Sequence, residues 1–208
     1  MRAFRNTVTA LGLALLSAVS SLAGSAAQTA SDQAVAGGNA MFPLSVGNSW
    51  SYRCSAEGSA AFVKTVKLTR SLLHDGKPFF QAEMRIRKDP KPLVYFLSTD
   101  QQGQVFSVMQ VADNGREVLI NAAPKAGDKL GNRSVAAGEM MHVPALGRAK
   151  VPVVRVENFF RDDPNVSAEQ RMEWSGRYYA AGVGLVIEAD GLGGQCVLTG
   201  YKLAKKLP

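Results

Sequence analysis

The sequence predicts an all-β domain: an antiparallel meander that forms a strongly curved sheet or an open barrel, with a two-sheet β-sandwich as the alternative. Three observations carry this prediction. Apolar residues recur with period two through most of the chain beyond residue 40. Turn pairs such as Asp75-Gly76 and Asn114-Gly115 punctuate those runs at hairpin spacing. Helical periodicity is nearly absent there; only in residues 165–170 does Ser167, followed three residues later by Gln170, resemble a capping box.

The elements follow in order. Trp50, Tyr52 and Cys54 alternate with polar residues, so they share one face of a first strand. Residues 62–73 set Val66, Leu68 and Leu72 against Lys67, Thr69 and Ser71, and Asp75-Gly76 turns this strand into residues 79–87. There Phe80, Ala82, Met84 and Ile86 alternate with Gln81, Glu83, Arg85 and Arg87. Strands are then expected over 93–98, 105–111, 117–121, 129–136, 139–143, 150–160, 171–174, 178–188 and 195–203. Pro152 cannot donate to a ladder, which places its strand at an edge or starts it just after. Two segments echo each other: Val46-Gly47-Asn48-Ser49-Trp50 and Ala126-Gly127-Asp128-Lys129-Leu130 both read as a turn feeding a strand.

The ends define the domain organisation. Arg2 and Arg5 precede an apolar run from Val8 to Leu22, and small residues follow, with Ser25 at −3 and Ala27 at −1 of a cleavage site. Residues 1–27 therefore read as a cleavable signal peptide, residues 28–40 as a flexible polar leader, and residues 41–208 as one β-rich domain. Leu22-Ala23-Gly24 opens like a lipobox, but Ser25 stands where the lipidated Cys is required, so no membrane anchor is expected after cleavage. The expected location is the periplasm or outside the cell.

Export bears on the cysteines. The chain has two, Cys54 and Cys196, and an even pair in an oxidising compartment is most simply a disulfide. The formal charge of +7 falls to about +5 when Arg2 and Arg5 leave, and the remaining basic residues are interspersed with acids, so no nucleic-acid face stands out. The lysines of residues 202–208 read as solubilising.

Chemistry is sparse. No nucleophile motif occurs, and neither His74 nor His142 belongs to a tight metal spacing. Met140, Met141 and His142 offer soft ligands for copper, weighed against plain hairpin packing, which Met commonly serves. Asp162, Asp163, Asn165, Ser167 and Glu169 place oxygens as a calcium loop does, but without the Gly and terminal Glu of an EF-hand. Glu157, Glu173 and Glu188 are the carboxylates a hydrolase acting on envelope material would use. No cofactor is called for.

Three segments carry a resemblance. The run Phe42-Pro43-Leu44-Ser45-Val46-Gly47-Asn48-Ser49-Trp50-Ser51-Tyr52, the paired segment from Pro124 to Leu130 and the run from Tyr178 to Val186 resemble a loose group of bacterial secreted proteins and lipoproteins. In that group a PLxxGNxWxY opening and a YYAxGVGLV strand bracket a β domain, and most members have no assigned activity. The resemblance spans residues 41–203 and implies a β domain of that kind. Within it Gly182 and Gly184 suit a bulge or a close backbone crossing. The leading expectation for function is a non-catalytic domain that binds an apolar small molecule in a concave sheet, or an envelope protein along an edge; the envelope hydrolase and the copper-binding protein are the alternatives.

Overall fold

The computed structural model describes residues 36–56, 58–86, 89–111, 115–131, 133–158, 176–189 and 193–204. The expected signal peptide and the segments around Asp162, Ser167 and Glu173 lie outside these residues.

Two meanders build the sheet. The first runs through β3 (Ser49–Ala56), β4 (Ser59–His74), β5 (Lys77–Ile86), β6 (Leu93–Thr99), β7 (Val105–Val108) and β8 (Glu117–Ile120). The second comprises β9 (Lys129–Leu130), β10 (Arg133–Val135), β11 (Glu139–His142), β12 (Lys150–Asn158), β13 (Gly176–Ala180), β14 (Gly184–Ala189) and β15 (Gln195–Lys202). All pairings are antiparallel, and β3 joins β15, so the spatial order is β8-β7-β6-β5-β4-β3-β15-β14-β13-β12-β10-β9 with β11 beside β12. The sheet curls until β8 approaches β9, giving a nearly closed barrel, the first of the two architectures expected.

Local chemistry explains the curl. Asp75 (φ 49°) and Gly76 (φ 71°) make the tight turn between β4 and β5, a conformation Asp and Gly adopt more readily than other residues. Bulges interrupt the register at Cys54/Ala56, Leu68/Arg70, Val105/Phe106, Tyr178/Tyr179 and Leu198/Gly200, and each bends its strand and increases twist. The bulge in β4 corrects one expectation. Val66 and Leu68 face the interior, but the extra residue at Thr69 flips the parity, so Leu72 packs outside with Phe79 and Phe106.

Other differences have equally local causes. Residues 129–136 form a tiny hairpin rather than one strand, because Gly131 (φ 66°) turns the chain between β9 and β10. Residues 178–188 are likewise two strands, β13 and β14, joined by a turn at Gly182 (φ 74°). Within β12, Pro152 pairs with Met140 of β11, while the ladder to β13 begins only at Val154; the proline thus sits where the strand is paired on one side.

The fold also starts earlier than Met41. Of the segment expected as a leader, residues 36–40 are structured: β1 (Ala36–Gly38) pairs with β2 (Pro43–Ser45) as a small hairpin at one end of the barrel. The Gly38 amide donates to Thr99 Oγ1 at 2.9 Å, and Asn39 Nδ2 donates to the Gly103 carbonyl at 2.8 Å. The Asn39 Oδ1 accepts from the amides of Met41 and Phe42. Met41, Phe42 and Leu44 are thereby driven into the core.

Candidate functional site

The hairpin floors one end of the barrel. Phe42 stacks on Trp50 with ring centroids 5.4 Å apart, and Gly184 lies against the Phe42 ring. Trp50 Nε1 donates to the Val183 carbonyl at 2.7 Å, and the Tyr52 hydroxyl donates to the Leu185 carbonyl at 3.0 Å. Both aromatic side chains are fully buried yet have their polar atoms satisfied. They tie β3 to the turn and strand of the second motif.

Above that floor the barrel encloses a cavity of about 510 Å³. This falls within the size range of small-molecule sites. Its wall is mainly apolar, with Phe62, Val66, Met84, Ile86 and Leu119 among the lining residues, and the half-exposed Leu93 and Met109 also contribute. The polar lining residues are few: Lys64, Tyr95, Ser107, Glu117, Arg177, Tyr179 and Glu188.

The charges form one chain. Lys64 pairs with Glu188 Oε2, and its ammonium lies 5.0 Å from the centre of the Tyr52 ring. Arg177 Nε donates to Glu188 Oε1 at 3.0 Å, and Arg177 Nη1 donates to Glu117 Oε1 at 2.7 Å. Arg133 also donates to Glu117 Oε1. Burial pushes both carboxyls up, but the neighbouring cations outweigh it and hold Glu188 and Glu117 below the usual carboxylate range. Burial also raises the phenols of Tyr52, Tyr95 and Tyr179, the last to about 12, so all three stay protonated donors at neutral pH.

Register explains the convergence. Arg177 lies directly opposite Glu188, and Lys64 directly opposite Tyr52. Residues directly opposed in a ladder project to the same side. Glu117 sits on β8, across the gap from β10 and β13, so its ion pairs bridge the side of the barrel that no ladder closes. Next to it, Asn121 Nδ2 donates to Asp128 Oδ2 at 3.2 Å. This seam is held by side chains where every other junction has backbone bonds.

The residues singled out from sequence fall as follows. Cys54 and Cys196 form the disulfide, opposite one another on β3 and β15 with a Cα–Cα distance of 3.9 Å. Trp50 and Tyr52 share the buried face with Cys54. Gly184 makes a close approach, to the Phe42 ring, while Gly182 makes the turn and its amide donates to the Ala40 carbonyl at 2.7 Å. Met140 and His142 are exposed on one face of β11, whereas Met141 packs against the core, so the three are not brought together. Among the described residues no cluster of His, Cys, Asp and Glu suits a metal. Glu188 faces the cavity, but Glu157 pairs with Arg155 on the opposite side of the sheet, at 2.8 Å.

Lys64, Tyr95, Glu117, Arg177 and Tyr179 were not singled out from sequence. A signal existed for one of them. Lys64 falls in phase with Val66 and Leu68, a charge on an apolar face.

No protein-family profile matches the chain, and no curated protein does. Solved structures do share its fold. A Bacteroides fragilis protein inferred to be exported, with a YmcC-like fold, superposes with a TM-score of 0.51 at 13% identity, over 79% of this chain and 100% of the other. A protein of Parabacteroides distasonis inferred to be a lipoprotein gives 0.52 at 12% identity, over 79% and 99%. At such identities the likeness is one of fold alone: this chain shares its β fold with these two proteins.

Proposed function

We propose that this is an exported, non-catalytic β-barrel domain that binds an apolar small molecule inside the barrel. The observation that carries it is the cavity of about 510 Å³ with a mainly apolar wall and a few convergent polar groups. Export is supported by the charged and apolar N-terminus and by the two structural neighbours. An interior ligand is favoured over a protein added to a sheet edge, because the two edges, β8 and β9, face each other across the ion-paired seam.

The test is binding of the neutral fluorophore N-phenyl-1-naphthylamine. It should bind with enhanced, blue-shifted emission. Met84→Trp, which fills the cavity from its wall, should weaken binding by about tenfold or more while leaving the far-UV circular dichroism unchanged. No binding by the native chain, or equal binding by the filled variant, would refute an interior site.

A further inference from the structure

We propose that the cavity takes an acyl compound, its carbonyl oxygen accepting hydrogen bonds from the Tyr95 and Tyr179 hydroxyls and its hydrocarbon chain lying toward Leu93 and Met109. This rests on the ligand-binding function above and adds the chemistry of the ligand.

The two tyrosines are the unusual feature of the wall. Both line the cavity, and Tyr179 is 1% exposed. Trp50 Nε1 and the Tyr52 hydroxyl beside them are satisfied by backbone carbonyls. By contrast, the Tyr95 and Tyr179 hydroxyls bond to no described residue. Both hydroxyls open onto the cavity, where an acceptor on an occupant can take their hydrogen bonds in place of water.

The surrounding groups specify what kind of partner. Tyr95 and Tyr179 lie within electrostatic reach of Arg177, Glu188 and Glu117. The acceptors there are committed: Glu188 takes Lys64 and Arg177 on its two oxygens, and Glu117 takes Arg133 and Arg177 on one and Ser107 Oγ on the other. Donors are in surplus. Arg177 carries five N–H groups and Lys64 three, but Arg177 uses its Nε and Nη1 and Lys64 donates only to Glu188. A donor-rich pocket is complemented by an oxygen that accepts, and the apolar wall from Val66 to Ile86 and Leu119 is complemented by hydrocarbon. A carboxylate or ester carbonyl on an alkyl chain has both parts. Free acid and ester share this chemistry and are separated by the test.

Displacement of N-phenyl-1-naphthylamine from the full-length chain by octanoate, methyl octanoate and octane reads the head and chain separately. Octanoate, its ester, or both should compete at about tenfold lower concentration than octane, a difference worth one well-made hydrogen bond. The pair Tyr95→Phe and Tyr179→Phe keeps the rings and removes the hydroxyls. It should abolish that advantage and leave competition by octane unchanged. Competition by octanoate alone assigns the free acid; competition by the ester alone assigns the ester. Octane competing as well as the carbonyl compounds, or a carbonyl advantage that survives in the double variant, overturns the acyl assignment and leaves an apolar site standing. Failure of the fluorophore and all three compounds to bind overturns both.

Discussion

Gly184 shows how tightly the second motif is built. A Cβ there would lie 2.3 Å from Phe42 Cδ2, and the residue has φ 99°, where side chains are strained in any case. Phe42 cannot retreat easily, since it stacks on Trp50 on one side and meets the edge of Tyr179 at 6.2 Å on another. Gly184→Ala should therefore cost about 3 kcal/mol, combining backbone strain with overpacking. Gly182, at φ 74° in the turn, has nothing within 4 Å of its added Cβ, so Gly182→Ala should cost only the conformational part, about 1 kcal/mol. Urea denaturation of the two variants checks the order; equal losses would mean that the ring contact is not what demands the glycine. The pair was legible in the sequence as glycines with a structural reason. Which one turns the chain and which one meets a ring was not, because Phe42 lies far away along the chain.

At the scale of elements, the disulfide and the two echoing turns organise the strands. Cys54 and Cys196 are separated by 142 residues, yet they join adjacent strands β3 and β15. In the chain-entropy account, closing so long a loop stabilises by about 5 kcal/mol. Replacing both cysteines by Ala should lower the urea midpoint accordingly, and reductant should then have no further effect on the variant, while far-UV circular dichroism below the transition stays unchanged. The turns are alike in bonding as well as in sequence. The Gly47 amide donates to Leu68, Asn48 to Ser45, and Leu68 back to Asn48; the Gly127 amide donates to Val135, Asp128 to Lys125, and Val135 back to Asp128. Five residues of resemblance thus correspond to the same three hydrogen bonds, with Gly at φ 94° and 92°. Strand positions were read well where alternation was clean, as at Phe80 to Ile86. They were misread at Leu72 and at Gly131, because a bulge or a glycine turn changes the parity without changing the composition.

For the whole molecule, the two meanders meet at two junctions of different kinds. One is β3 against β15, with a full ladder and the disulfide. The other is β8 against β9 and β10, held across by Glu117 with Arg133 and Arg177. Sequence alternation indicated the strands and the curvature, but not this site, since the groups come from β4, β8, β10, β13 and β14 and only closure of the barrel brings them together. The seam has a predictable pH response. Glu117 and Glu188 have their pKa held below the ordinary value in the folded chain, so their contribution is complete above the unfolded carboxylate pKa and is lost as the pH falls through the folded one. Because Glu117 is partly exposed, solvent screening limits its share to roughly 1 kcal/mol. Hydrogen exchange locates the effect. On acidification below the carboxylate range, amides of β8, β9 and β10 should lose protection before those of β3 and β15. Glu117→Gln should reproduce that pattern at neutral pH and weaken the seam's further response to acid, leaving the smaller part that Asp128 and Glu188 carry. Uniform loss of protection across both junctions would show instead that the ion pairs do not hold the seam, and that the barrel opens only by unfolding as a whole.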